Sequence, residues 1–211
     1  MCKSKNYIPN FIPLFAPLYD PLVKWGIPED DIKQRIIKRA HIKTRMRILD
    51  IGCGVGSLTI QIKQMYPKAD VIGLECDPGV IEIARLTAEQ KGVQITLDLG
   101  MAFHLPYLDH SFDRVFSSLV FHHLTTENRK SAMHEIYRVI RPGGELLIVD
   151  IGKPCNGNGS LTSRFLHGLK EGDDNKNGLL PTMMRDAGFS KVKVICEYDT
   201  IFGGLSLYRG N

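Results

Sequence analysis

Short apolar runs at 47–51, 70–74, 93–98, 112–117 and 145–150 alternate with stretches of helical spacing at 56–66, 78–91, 101–107 and 126–140. Strands that alternate with helices are joined by crossovers, and such a sheet is mostly parallel, covered on both faces and apolar in its strands. After Asp150 the alternation stops. Residues 152–178 are polar and rich in Gly and Asn, with a short helix predicted at 161–170, and a loop of that length beside a sheet is either functional or mobile. The pattern resumes with a helix at 179–187, ended by Gly188, and with strands at 190–197 and 202–209 that pair as an antiparallel hairpin. The expected fold is α/β: a doubly wound, mostly parallel seven-stranded sheet closed by a C-terminal antiparallel hairpin.

Upstream of 47 the pattern differs. Pro9, Pro13, Pro17 and Pro21 recur every four residues and forbid a helix interior, so the start reads as an irregular apolar arm. Glu29, Asp30 and Asp31 then precede Lys38 and Arg39, the charge order that suits a helix macrodipole, and a helix is predicted over 29–42. Residues 1–46 are read as an arm and helix covering the active site and 47–211 as the main domain, together one compact unit, as 211 residues suit.

Composition adds exclusions. Hydrophobic residues at 43% and charged ones at 24% exclude a collagen-like, disordered or disulfide-scaffold chain. The five cysteines are scattered without metal-ligand spacing, which points to a reducing compartment and no structural zinc. No apolar run approaches the roughly 18 to 20 residues that span a bilayer. The start has the outline of a signal peptide, but prolines interrupt it and no small-residue cleavage site follows, so a cytoplasmic protein is expected. Ten basic and four acidic side chains fall in residues 1–47, against a whole-chain charge of +4. A basic segment of this kind meets phosphate, on nucleic acid or at an anionic lipid surface, or forms a solvated helix face. Aromatic residues do not interleave with the charges, which disfavours nucleic acid and leaves peripheral membrane contact open.

The chemistry begins in ILDIGCGVGSL, residues 48–58, where Gly52, Gly54 and Gly56 lie between a buried strand and a helix. Glycines there let the chain turn tightly and let a ligand approach the main chain, with helix N–H groups facing the crevice. The next strand ends at Glu75, whose carboxylate can accept both hydroxyl protons of a ribose. A nucleoside-cofactor site follows. The dinucleotide fingerprint GxGxxG requires glycine where Ser57 stands, and no Tyr is followed four residues later by Lys, so a nicotinamide-dependent oxidoreductase is the alternative rather than the first reading.

The segments DIGCGVG, GLECDP, LPYLDHSFDRVFSSLVFHHL (105–124) and EIYRVIRPGGELLIVD (135–150) resemble the successive motifs of class I S-adenosylmethionine-dependent methyltransferases. Within them the chain is similar to the branch holding the ubiquinone/menaquinone C-methyltransferases and the type 11 small-molecule enzymes. LYDPL near the start and FGGLSLYRG at the end extend the resemblance over about residues 15–209. It implies S-adenosyl-L-methionine as cofactor and S-adenosyl-L-homocysteine as product. Asp50, Gly52, Cys53, Gly54 and Gly56 would hold the methionyl and ribose part, Glu75 the ribose hydroxyls, and Cys76 and Asp77 would flank adenine. Ser117 and Ser118 would line the same crevice. The family's acidic residue in a Gly-Asp-Ala triplet is replaced here, since the triplet reads Gly100-Met101-Ala102. Met101 packs on a purine face but cannot accept from its amino group, so adenine would depend on main chain, Ala102 and Phe103. That departure keeps a non-catalytic cofactor-binding module open.

Methyl transfer from a sulfonium is mainly alignment and exclusion of water, and a general base is needed only where the acceptor must lose a proton. His122 and His123 are the candidates, with a packed turn as their structural alternative. Asp150 closes its strand and either faces the same crevice or caps a turn. Tyr19 either folds over the cofactor or anchors the arm. Phe11, Phe15, Leu18, Trp25, Phe165 and Leu166 would give the acceptor pocket an apolar wall, suiting a small-molecule or prenylated, lipid-like acceptor.

Overall fold

The computed structural model describes residues 29–152, 179–200 and 203–211. Five α-helices and seven strands fall there: α1 (Glu29–Arg39), β1 (Arg47–Ile51), α2 (Ser57–Met65), β2 (Asp70–Glu75), α3 (Pro78–Gln90), β3 (Thr96–Leu99), β4 (Phe112–Ser118), α4 (Thr126–Val139), β5 (Ile140–Gly152), α5 (Leu179–Asp186), β6 (Lys193–Thr200) and β7 (Gly203–Gly210). A 3-10 turn, Phe121–His123, links β4 to α4. The sheet order is β3-β2-β1-β4-β5-β7-β6. Strands β1 to β5 pair in parallel, and β7 inserts antiparallel between β5 and β6. The strand order reverses between β1 and β4, so a crevice opens at their carboxyl ends, where open α/β sheets bind ligands.

Period-two alternation sends side chains to two separate cores. Leu49, Ile51, Val115, Leu146 and Ile148 face one side and are covered by α4 and α5 through Ala132, Met133, Ile136, Leu180 and Met184. Ile48, Phe116, Leu147 and Val149 face the other, under α1 and α2 through Ile32, Ile36, Ile37, Leu58 and Ile62. Spacing of three to four residues along each helix produces those stripes. α3 starts on Asp77, whose Oδ1 accepts from the N–H groups of Gly79 and Val80 at 2.7 and 3.2 Å, with Pro78 at the first helical position.

One expected helix is absent. Residues 101–107 form no helix: Met101 and His104 make an isolated bridge, and irregular chain with a bend at Tyr107 follows. The reason is competition for backbone groups. Glu135 on α4 accepts the Leu105 N–H at 2.8 Å, and Arg138 donates to the carbonyls of Tyr107 and Leu105 at 2.7 and 3.2 Å. Glu135 thus takes the one N–H that a helix would have paired to Met101, Arg138 holds carbonyls further along, and Pro106 inside the segment has no N–H to give. Smaller shifts are a shorter β3, starting at Thr96, and a longer β5, starting at Ile140. The helix predicted at 161–170 lies outside the described residues.

Arg138→Met removes both carbonyl partners and the ion pair to Glu135, 2.7 Å long. A loss of about 1–3 kcal/mol is expected, read as a lower urea midpoint with unchanged slope.

Candidate functional site

The carboxyl end of β1 turns on three glycines in the left-handed region, Gly52 at φ +65°, Gly54 at +55° and Gly56 at +79°. Two of them serve different ends. A Cβ on Gly52 would stand 2.4 Å from a methyl of Val120, so this glycine lets the β4 turn close against the loop. A Cβ on Gly54 would meet nothing within 4 Å, so its main chain faces open space. The loop is anchored to β2, since the N–H groups of Gly52 and Cys53 both donate to the Leu74 carbonyl, at 2.7 and 3.0 Å.

Glu75, half-buried at the end of β2, is held by main chain alone. Its Oε2 accepts from Gly54 N–H at 3.2 Å, and its Oε1 accepts from Cys76 and Asp77 N–H at 2.8 and 3.2 Å. The glycine loop and the acid after it, recognised separately in the sequence, are therefore directly bonded. Three of a carboxylate's roughly four acceptor positions are used, so a ribose diol competes for the long Gly54 contact.

Other candidates divide by face. Asp50 is fully buried on the α1–α2 side, where Thr59 Oγ1 donates to it at 2.6 Å. Burial pushes its carboxyl up to about 7, opposed by the Thr59 hydrogen bond and by the charge of Lys33. Lys33 itself is buried and donates to Ser57 at the first residue of α2. In the sequence Lys33 is one of the basic residues of the N-terminal segment, read either as meeting phosphate or as a solvated face, and Thr59 has no assigned role. The Cys53 thiol is turned inward against Gly73, and burial raises its pKa, so Cys53 offers the crevice main chain only. Met101 and Ala102 occupy the turn after β3, half-buried, with Ala102 and Phe103 against the core.

At the end of β4, Ser117 is fully buried with no hydrogen-bond partner for its hydroxyl oxygen among the described residues, and Ser118 is half-buried. Leu119 turns the chain at φ +58° and Phe121–His123 follows. Asp150, fully buried, accepts from Phe121 N–H at 2.7 Å through Oδ2, while its Oδ1 lies 3.0 Å from His122 Nδ1. The His123 ring centroid lies 3.8 Å from that of His122. Tyr19 and the arm residues Phe11, Phe15, Leu18 and Trp25, with Phe165 and Leu166, lie outside the described residues. Among the described residues no cluster of three or more His, Cys, Asp and Glu side chains is arranged to hold a metal ion.

The methyltransferase domain family matches residues 48–144, the span from β1 into β5. A demethylmenaquinone methyltransferase of Thermus thermophilus is 31% identical over 179 residues, which cover 75% of this chain and 80% of that protein. The chain belongs to the class I S-adenosylmethionine-dependent methyltransferases. It spans about half the length of further demethylmenaquinone methyltransferases that it matches. Solved structures agree on the fold: YcgJ of Bacillus subtilis has a TM-score of 0.65 at 24% identity, covering 79% of this chain and 70% of that one. Haemonchus contortus phosphoethanolamine N-methyltransferase 2, solved with S-adenosylhomocysteine, gives 0.66 at 23%, covering 80% and 39%. S-adenosylmethionine is the cofactor, the expected α/β fold stands, and the nicotinamide and non-catalytic readings are not favoured. The methyltransferase fits its cofactor in the two features that matter most, open main chain at Gly54 and an oriented anion at Glu75. No helix among the described residues is long and apolar enough to cross a membrane.

Asp50 yields a pH dependence. The folded chain holds a proton on Asp50 up to about pH 7, whereas the unfolded chain releases it near 3.8, the ordinary value for an aspartate. Stability from this group is therefore greatest below about pH 4, falls as pH rises to about 7 at no more than roughly 1.4 kcal/mol per unit, and is level above. Asp50→Asn removes that slope, so urea unfolding from pH 4.5 to 8 should show the variant gaining on the wild type until about pH 7.

Proposed function

We propose that this methyltransferase acts on a small, apolar, ring-bearing or lipid-like acceptor. The observation that carries the cofactor half is the bond between Gly54 N–H and Glu75, which sets an anion beside the loop glycine whose Cβ position is open. On this reading Glu75 takes the ribose hydroxyls, and Gly52, Cys53, Gly54 and Gly56 contribute main chain. Asp50 braces α2 through Thr59 beneath the methionyl part. Cys76, Met101 and Ala102 line the adenine end, while Ser117 and Ser118 face the methyl end. Met101 substitutes apolar contact for the acid usual at its position, which puts more of the binding on Glu75.

The cofactor supplies an electrophilic methyl on a sulfonium, so the chain's own task is to bind, to align and to exclude water. Residues 1–46 are assigned the cover of the site and 47–211 the catalytic domain, with Tyr19 closing over the cofactor and His122 and His123 facing the acceptor. The name of the Thermus relative supports a quinol-like acceptor. A basic arm brought to an anionic lipid surface would give such an acceptor a short path to the crevice.

Isothermal titration with S-adenosylhomocysteine should show one site, and Glu75→Ala should weaken it by about 1.5–3 kcal/mol. Equal affinity in the variant would refute the role of Glu75. Labelled methyl transfer into an extract, partitioned between organic solvent, water and macromolecule, should place the label in the organic phase. Label confined to macromolecule would overturn the small-acceptor reading.

A further inference from the structure

Asp150 spends both carboxylate oxygens on the turn that follows β4. Oδ2 accepts the Phe121 N–H at 2.7 Å, and Oδ1 stands 3.0 Å from His122 Nδ1. The carboxylate side chain is fully buried while the imidazole keeps 14% exposure, so the acid lies beneath the base. That order has two consequences. A carboxylate on Nδ1 fixes the Nδ1–H tautomer and leaves Nε2 as the basic nitrogen, and it balances the charge that appears when Nε2 takes a proton.

The turn cannot swing away from this contact. Phe121 is fully buried, its N–H is held by Asp150, and its carbonyl accepts from Arg129 Nε at 2.8 Å. Among the described residues, charged and titratable groups near the imidazole come from three elements: Asp150 on β5, His123 in the same turn with its ring tilted 46° to that of His122, and Arg129 on α4, which is joined to the turn through Phe121. Asp150 is placed to hydrogen-bond the ring, Oδ1 to Nδ1.

We propose that Asp150 is a positioning residue that presents His122 Nε2 as a general base, so that the methylated atom of the acceptor is one that must lose a proton. The proposal rests on the methyl-transfer reading above. Over the reaction the acceptor exchanges one hydrogen for a methyl group. The proton passes to Nε2 and then to solvent, the electron pair it leaves on the acceptor forms the new bond to the methyl carbon, and the carbon–sulfur bonding pair remains on sulfur as the neutral thioether. An amine that is already nucleophilic, or a thiolate, needs no such base.

Three measurements on the full chain decide it. Imidazole nitrogen NMR should show His122 as the Nδ1–H tautomer, and Asp150→Asn should move the tautomer balance toward Nε2–H. In the extract transfer assay, His122→Gln should lower the rate about 100-fold or more, and Asp150→Asn should lower it about 10-fold or more while leaving S-adenosylhomocysteine affinity unchanged. The labelled methyl should sit on an atom that has lost a proton, an oxygen or a carbon. An Nε2–H tautomer, a full rate in His122→Gln, or label on an amine would overturn the proposal. Titration with S-adenosylhomocysteine separates the two readings: failure of the wild type to bind would sink the cofactor assignment, while NMR would still decide the pairing. If Asp150→Asn does not fold, His122→Gln, at a partly exposed side chain, carries the test.

Discussion

Two N–H groups converging on one carbonyl fix where the rest of the site stands. Gly52 and Cys53 both donate to Leu74, which ties the first turn after β1 to the last residues of β2. The left-handed conformation of Gly52 makes that convergence accessible at low cost. From that anchor the chain reaches Gly54 in position to bond Glu75, one residue beyond Leu74. The cofactor side is thus held by main chain rather than by side-chain packing, and main-chain geometry survives change at neighbouring positions. Val55, exposed in the middle of the loop, illustrates the tolerance.

The same turn constrains β4. Because Gly52 has no Cβ, Val120 can sit against it, and the turn Phe121–His123 follows directly. A side chain at 52 would push Val120 away and with it the His122 contact to Asp150. The cofactor loop and the histidine turn are therefore not independent modules. One steric allowance on β1 lets both crowd the switch point of the sheet, which is where a donor and an acceptor have to meet.

Most of the fold was legible because the strands are apolar and the helices periodic, and both signals are local. The glycine loop and Glu75 were legible for a related reason, since spacing within a strand-turn-helix unit transmits directly to geometry. What failed was the stretch 101–107. Its residues carry a helix-like pattern, yet Glu135 and Arg138, about thirty residues later, take its backbone groups. Pro106 within the stretch is a local signal against a helix interior, but no local pattern encodes a competitor that arrives from a distant helix. Lys33 escaped for the same reason: within 29–42 it is one cation among several, and only the packing of α1 on α2 brings it to Ser57.

Asp50 and Asp150 show how one side chain at equivalent strand ends acquires different chemistry. Both close parallel strands and both are fully buried. Asp50 turns to the α1–α2 face, where a neutral hydroxyl is its hydrogen-bond partner and burial dominates, so its carboxyl holds a proton to about pH 7. Asp150 turns to the opposite face and meets a main-chain N–H together with an imidazole. A partner that can itself become a cation gives a buried carboxylate something to exchange charge with, whereas a hydroxyl does not. On the proposed reading the difference decides function: the first acid braces the cofactor loop, and the second, one residue pattern later in the sheet, is the one able to support proton transfer.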